Sequence, residues 1–211
     1  IGLAGECAPD LLRDTGAEIP LRGNDMASTR DLTLIRVPDE LPRFELVGPV
    51  SAIRGLWEQL AASATAVNGA YWSLRDIRSG IPTLYAATAD LFLPQMANMQ
   101  LIDGVSFTKG CYTGQEVVAR MRYLGKLKRR MYGAEVSAAQ PPQPGDPLVS
   151  PVSQSEQGAG RVLDTQAIGE DRYALLAVVE IDAAENGDVR LGESGPVLSF
   201  QDLPYSFDPE R

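Results

Sequence analysis

The fold of this chain is decided by a strand-rich region that opens with residues 127–136, LKRRMYGAEV. Three further strand-like stretches follow it, and residues rich in Gly, Pro, Asn and Asp separate them: 159–164, 173–181 and 197–200. The clearest separator is the turn-rich segment QPPQPG at 140–145. Short strands with turns between them predict a small antiparallel β-barrel or sandwich. We therefore predict a C-terminal domain of residues 126–211, with a boundary near Gly125.

Residues 1–125 have a mixed pattern. The stretches 31–37 and 43–47 contain strand-forming residues on either side of a Pro-Asp-Glu turn, which predicts an antiparallel pair. Pro49 can open a helix, and the apolar residues after it recur at helical spacing: Ile53, Leu56, Trp57 and Leu60. Strand, strand and helix in this order predict an α+β domain before the C-terminal barrel.

Composition excludes several classes of protein. The 211 residues are 44% hydrophobic and 22% charged, which is typical of a folded globular chain. The chain has no histidine, which excludes Ser-His-Asp triads and zinc sites built on imidazole. Two cysteines are too few for a disulfide framework or a four-cysteine metal site, so no metal ligand is predicted. No apolar run reaches the length of a membrane span, and we expect a cytoplasmic protein.

Charge is distributed unevenly. The net charge is −9, yet residues 109–130 contain seven of the 19 basic residues, all three lysines among them, and a single acidic residue. One interpretation of this basic run is a solvated helix-and-strand face. The other is a binding site for an anionic ligand or RNA at residues 120–130. Both interpretations stay open at the level of sequence, and the acidic remainder argues against a partner membrane.

The most informative motif is KGCYTGQE at residues 109–116. Thr113 and Glu116 have the spacing of a capping box, which predicts a helix from Gly114 with a buried stripe formed by Val117, Val118, Met121 and Leu124. Cys111 would then precede a helix N-terminus, two residues from Lys109, and both positive charges favour its thiolate form. Gly110 and Gly114 leave room for a ligand or allow an unusual backbone angle. Cys7 lies beside Pro9 at a predicted helix start and is interpreted as an inert core residue.

The motif resembles the signature of the YgfZ family, which comprises folate-binding relatives of the glycine-cleavage T-protein. Blocks on both sides of the motif resemble the family in the same order, most densely over residues 70–132. They are WSL at 72–74, SGIP at 79–82, LPQ at 93–95, NMQ at 98–100, GVSF at 104–107, VAR at 118–120 and LPYS at 203–206.

The resemblance implies an α+β fold that is ferredoxin-like in part, followed by a C-terminal β-barrel. It implies tetrahydrofolate as the cofactor and a role in assembling or repairing iron–sulfur clusters. The partners implied are a folate derivative and iron–sulfur client enzymes, including tRNA-thiolating enzymes. It also implies a longer protein, in which a segment ahead of Ile1 supplies one wall of the folate site.

The resemblance places a folate-contacting tryptophan at Trp72, whose indole can stack on an aromatic ring. Arg75 and Arg78 can pair with the carboxylates of a folate tail. Arg78 is also a departure, because the T-protein has a glutamate at the matching position that holds the pterin, and arginine cannot accept hydrogen bonds. The predicted folate pose therefore differs from that of the T-protein.

Together with these residues, the resemblance implies a folate-binding accessory protein that supports iron–sulfur enzymes and thereby tRNA modification. Cys111 is its predicted reactive group and Lys109 tunes it, while Tyr112, Gln115 and Glu116 contact or orient the ligand. One alternative is a one-carbon transferase similar to the T-protein, which Arg78 disfavours. Another is a direct RNA-binding module at residues 120–130, with Tyr112, Tyr123 and Tyr132 as stacking groups. The sequence leaves open whether the protein turns over a substrate.

Overall fold

The computed structural model describes residues 1–29 and 31–207 and divides the chain into two compact units, Ile1–Trp72 and Ser73–Arg211. The domain boundary near Gly125 rests on the change in sequence pattern and stays a prediction. Among the described residues, no helix has both the length and the apolar character needed to cross a membrane. The elements are, in chain order, β1 (Gly2–Ala4), α1 (Ala8–Arg13), β2 (Met26–Ser28), β3 (Thr33–Arg36), β4 (Arg43–Val47), α2 (Val50–Leu60), α3 (Gly69–Arg78), α4 (Gln115–Tyr123), β5 (Arg129–Ser137), β6 (Pro147–Val149), β7 (Gly160–Gly169), β8 (Arg172–Glu180), α5 (Ile181–Asn186), β9 (Arg190–Leu191) and β10 (Ser199–Gln201).

The first unit is a four-stranded antiparallel sheet in the order β1-β4-β3-β2, with α1 and α2. The predicted pairing of β3 with β4 is confirmed, and Leu34 lies opposite Leu46. The predicted helix is also confirmed, since α2 begins at Val50, directly after Pro49. Alternate strand residues and one helix face form the core, which consists of Leu3, Ala8, Leu12, Ala17, Leu34, Phe44, Leu46, Leu56 and Leu60.

The second unit contains a six-stranded antiparallel sheet in the order β10-β5-β8-β7-β6-β9, which curls into a half-barrel. Its central strand β8 has six successive buried residues, Ala174 to Val179. Odd-numbered residues of β8 pack in one core and even-numbered residues pack in another, because side chains alternate across a strand. Burying each Leu or Val contributes about 1.5–3 kcal/mol, so both faces of this strand hold the unit together. The predicted α+β class and the curled antiparallel C-terminal sheet are confirmed.

Helix α3 and the segment after it lead into the half-barrel. Ile77 of α3 packs in the same core as Met131 of β5 and Leu176 of β8. Between α3 and α4 the chain forms three short 3-10 helices, Ala86–Thr88, Pro94–Ala97 and Met99–Leu101. This irregular segment and α4 contain most of the sequence blocks that resemble the YgfZ family. These blocks therefore precede the curled sheet in the chain.

Candidate functional site

The KGCYTGQE motif forms the loop that leads into α4. The helix begins at Gln115, and Gly114 occupies the N-cap position with a φ of 86°. No side chain caps the first turn, so the predicted capping box is wrong. Its physical reason is register: Thr113 lies one residue before the N-cap, where its hydroxyl does not meet the free N–H groups of the first turn. The left-handed backbone at Gly114 explains why glycine stands there.

The predicted buried stripe of α4 is also wrong in part. Val118 is buried, and the Gln95 side chain donates a 2.6 Å hydrogen bond to its carbonyl oxygen. Val117 and Leu124, by contrast, are 51% and 84% exposed. Met121, the fourth residue of the predicted stripe, is half-buried. The helix therefore packs through Val118 and Met121, while Val117 and Leu124 face solvent.

Cys111 is an exposed free thiol in this loop. A Cβ atom added at Gly110 or at Gly114 would meet no atom within 4 Å, so the space around the loop is open. The ammonium of Lys109 lies 4.6 Å from the centroid of the Tyr112 ring, in a cation–π contact. The backbone N–H of Lys109 donates to the Ser106 hydroxyl at 3.1 Å, which fixes the start of the loop. That Lys109 favours the thiolate of Cys111 stays a prediction.

Lys109 and Tyr112 also line a cleft of about 380 Å³ in the second unit, which we call the motif cleft. Most of its wall is apolar and comes from the irregular segment, with Phe92, Leu93 and Val105 among the lining residues. Cys111, Gln115 and Glu116 do not line this cleft in the described chain. The structure therefore brings two of the predicted motif residues, Lys109 and Tyr112, into one cleft. Of the others, Gln115 is half-buried and Glu116 is exposed.

One wall of this cleft is tied to the half-barrel by a buried carboxylate. The Tyr85 hydroxyl donates to Asp164 at 2.9 Å, and Asp164 also accepts the N–H of Thr165 at 2.7 Å. Burial raises the pKa of both side chains, that of Tyr85 to about 12. The cleft residues Thr83 and Leu163 are sequence neighbours of this pair, so the bond fixes the wall.

Trp72 lines a different cavity, which lies within the first unit and has a volume of about 390 Å³. Trp57, Tyr71 and Cys7 are also among its lining residues. The Trp72 indole packs so closely on Gly2 that any side chain at that position would collide with it. The volume is within the range of about 300–1,000 Å³ that is typical of small-molecule sites.

The position of Trp72 is fixed by a buried ion pair that the sequence analysis missed. The Arg43 guanidinium lies 4.6 Å from the Trp72 ring centroid and 3.1 Å from the Asp39 carboxylate. The side chains of Arg43 and Asp39 are 0% and 1% exposed. A signal was present, because Arg43 lies among the apolar residues of a strand with an acidic residue four positions earlier.

Cys7 is not a core residue, which corrects the interpretation from the sequence. It is the N-cap residue of α1 and is exposed, while Ala8 and Leu12 of the same helix are buried. At an N-cap the side chain projects from the helix end instead of packing on its buried face, and here it lines the cavity with Trp72.

The two predicted arginines lie on α3 beyond Trp72. Arg75 is half-buried and Arg78 is exposed in the last turn of the helix. Their predicted role toward a folate tail stays a prediction. Within the described residues, no group of three or more Cys, Asp or Glu side chains is arranged to hold a metal ion.

The fold is that of a glycine-cleavage aminomethyltransferase. The chain superposes on aminomethyltransferase T from Bartonella henselae with a TM-score of 0.68 and 20% sequence identity, covering 96% of this chain and 58% of that one. No family model matches the chain.

Over its whole length the chain is a homologue of the YgfZ proteins, which confirms the resemblance seen in the sequence. It is 33% identical to tRNA-modifying protein YgfZ of Yersinia enterocolitica and 32% identical to tRNA-modifying protein YgfZ of Yersinia pestis. The alignment covers 100% of this chain and 64% of each of these relatives, so the chain spans a little under two thirds of their length.

Proposed function

We propose that this chain forms the tetrahydrofolate-binding part of an accessory protein for tRNA modification. The proposed route is the assembly or repair of iron–sulfur clusters in client enzymes, including tRNA-thiolating enzymes. The homologues named tRNA-modifying protein YgfZ and the aminomethyltransferase fold support the proposal. The single observation that carries the folate part is the cavity that Trp72 lines in the first unit.

The residues of this cavity fit the aromatic part of a folate. A pterin is flat, and the indoles of Trp72 and Trp57 offer it aromatic surface in a largely apolar cavity. Arg43 holds the Trp72 ring in place before any ligand arrives, which lowers the entropic cost of binding.

The polar edge of the pterin needs acceptors for its N–H groups, and the cavity wall contains no carboxylate. The hydroxyls of Ser63, Thr65 and Tyr71, together with backbone carbonyls, are acceptors that this wall offers. Folate bound here depends on stacking and neutral hydrogen bonds instead of a charged acceptor.

Cys111 is the group that we assign to the iron–sulfur part of the function. Its thiol is exposed in an open loop, so a partner protein can approach it. Lys109 and Tyr112 form the cation–π pair beside it and line the motif cleft. In this proposal Gln115 and Glu116 orient the loop at the start of α4.

Calorimetric titration with 5-formyltetrahydrofolate tests the folate part. Because stacking contributes about 1 kcal/mol or more, Trp72→Ala should weaken binding at least about five-fold. Trp72→Ala also uncovers Arg43 and lowers stability, so Trp72→Phe is the matched variant: it keeps a ring over the guanidinium and should retain most of the affinity. Equal affinity in wild type and Trp72→Ala would remove Trp72 from the folate site.

Complementation tests the iron–sulfur part. Cells in which the chromosomal gene carries Cys111→Ala should lose iron–sulfur enzyme activity and thiolated tRNA, while Cys7→Ala should preserve both. Full activity with Cys111→Ala would show that the motif is a structural loop without a functional thiol.

A further inference from the structure

The last turn of α4 and the segment after it form a surface that the proposed function does not use. We call it the basic surface and define it by Arg120, Arg122, Tyr123, Leu124, Lys126 and Lys128, all of which are exposed. Its two uncharged members are large, and Tyr123 is 69% exposed while Leu124 is 84% exposed. We propose that the basic surface binds an unpaired stretch of RNA.

The first argument is that the charge of this surface is uncompensated. Within residues 1–29 and 31–207, none of its four cations forms an ion pair. The next residue, Arg129, is different: it pairs with Glu180 at 3.2 Å and is mostly buried. Hydrated, unpaired cations on a chain of net charge −9 attract a polyanion to one place and repel it elsewhere.

The second argument is an aromatic platform built into the surface. The Arg122 guanidinium carbon lies 3.8 Å from the centroid of the Phe107 ring and 5.5 Å from that of Tyr123. The Arg122 guanidinium is therefore within cation–π distance of both rings, while most of the Tyr123 surface stays in solvent. An exposed aromatic face next to cations is the arrangement on which unpaired bases stack.

The backbone brings helix and coil cations to this surface. The N–H groups of Leu124 and Gly125 both donate to the carbonyl oxygen of Arg120, at 2.9 and 3.0 Å, which ends α4 abruptly. A side chain at Gly125 would collide with Met121, so the tight turn requires glycine. Lys126 follows directly on this turn, so its charge adds to those of Arg120 and Arg122 in the last helical turn.

The structure also narrows the stacking groups expected from the sequence to one. Tyr132 packs against Phe200 and Phe207 at centroid distances of 5.3 and 5.4 Å, and Tyr112 lies under Lys109. Tyr123 alone of the three is exposed. An acidic protein partner would use the cations but has no need of a planar aromatic, so the pairing of Tyr123 with the cations favours RNA.

Fluorescence anisotropy with a labelled, unstructured RNA of about 15 nucleotides tests this inference, since single-strand sites span about 4–16 nucleotides. Lys126→Gln/Lys128→Gln should weaken binding about ten-fold at low salt and reduce the slope of log K against log salt by about 0.7 for each cation removed. The matched control is Arg22→Gln/Arg54→Gln, which removes two exposed charges from the first unit and should leave the affinity within about two-fold.

Tyr123→Leu separates base stacking from charge. It should weaken RNA binding at least about five-fold and leave the salt slope unchanged, because it removes a stacking group and no charge. Equal losses in the lysine variant and its control would overturn the inference. Wild-type RNA affinity in Tyr123→Leu would also overturn it. The same holds if polyglutamate displaces the labelled RNA as well as unlabelled RNA does. Folate affinity, measured on the same variants, should be unchanged, so this inference and the proposed function fail independently.

Discussion

The Tyr205 hydroxyl donates a 3.0 Å hydrogen bond to the carbonyl oxygen of Gly80, 125 residues earlier in the chain. The same hydroxyl accepts a 3.2 Å bond from the Asn98 amide, which also donates to the Met131 carbonyl oxygen at 2.8 Å. Three blocks that the sequence shows as separate, SGIP, NMQ and LPYS, therefore meet in one buried cluster. These hydrogen bonds give Gly80, Asn98 and Tyr205 a structural role.

We expect Gly80→Ala to lower the free energy of unfolding by about 2–4 kcal/mol. Gly80 has a φ of +65°, and an added Cβ atom would lie 2.5 Å from the Tyr205 hydroxyl oxygen, so both backbone strain and a collision oppose the substitution. Urea unfolding measures the change. Gly55→Ala is the control: that glycine lies within α2 with open space around it, and alanine there should raise stability by about 0.5–1 kcal/mol. A small loss at Gly80 would show that Tyr205 moves aside freely.

Stability should fall steeply in alkaline solution because of Tyr205. Burial raises the pKa of its hydroxyl from 10.0 to about 12, and the Asn98 hydrogen bond acts in the opposite direction. In the unfolded chain the phenol loses its proton near pH 10, whereas the folded chain keeps it until about pH 12. The contribution to stability is therefore complete below pH 10 and is lost as the pH rises from 10 toward 12.

Tyr205→Phe removes this titrating group, so its unfolding free energy should decline less over the same pH window. Burial also raises the pKa of Tyr85 to about 12, so Tyr85 makes its own contribution to the decline of the unfolding free energy with pH. Tyr205→Phe leaves that contribution in place. Tyr123→Phe, which removes an exposed hydroxyl, is the control and should match the wild type. Identical slopes in Tyr205→Phe and wild type would mean that the folded state does not retain the Tyr205 proton.

The sequence predicts the sheets of this protein well and the start of α4 poorly. Strands such as β4 and β8 have apolar runs or alternations with turn residues at their ends, and this information is local. The capping box failed because the N-cap falls on Gly114, whose left-handed backbone is set by how the loop closes. The buried stripe failed in part because Val117 and Leu124 have no covering neighbour among the described residues, and a sequence does not show how much of a helix its neighbours cover.

Of the candidate site, the sequence named Lys109 and Tyr112, which line one cleft, but could not show that Cys7 lines the Trp72 cavity. Cys7 and Trp72 are 65 positions apart, and nothing in the local pattern links them. The support of Trp72 by Arg43 is likewise a tertiary contact. Its energetic basis, an ion pair that compensates burial of both charges, depends on distances that only the fold provides.

Lys128 and Arg129 should respond differently to substitution, although the sequence presents both as surface charges of the basic run. Arg129 donates to the Gly158 carbonyl oxygen at 2.8 Å, to the Ser155 hydroxyl at 3.1 Å and to Glu180 at 3.2 Å. Arg129→Gln should therefore lower the unfolding free energy by about 2–3 kcal/mol, while Lys128→Gln should change it by less than about 0.5 kcal/mol. Thermal and urea unfolding measure both. An unchanged unfolding free energy in Arg129→Gln would show that Arg129 is a solvated surface charge whose hydrogen bonds do not contribute to stability.

The two exposed cysteines provide a footprint for the folate site. Cys7 lines the same cavity as Trp72, whereas Cys111 lies in the open motif loop of the second unit. Without ligand, iodoacetamide should modify Cys111 first, because its loop is open to solvent whereas Cys7 lines a cavity.

Saturating 5-formyltetrahydrofolate should slow alkylation of Cys7 at least about ten-fold, since a ligand stacked on Trp72 fills a cavity of about 390 Å³ that Cys7 lines. The rate at Cys111 should stay the same, and peptide mass spectrometry reads both rates in one sample. Trp72→Ala should abolish the protection of Cys7, whereas Trp72→Phe should retain it. Protection of Cys111 instead of Cys7 would place the ligand at the motif loop and would exclude the Trp72 cavity as the folate site.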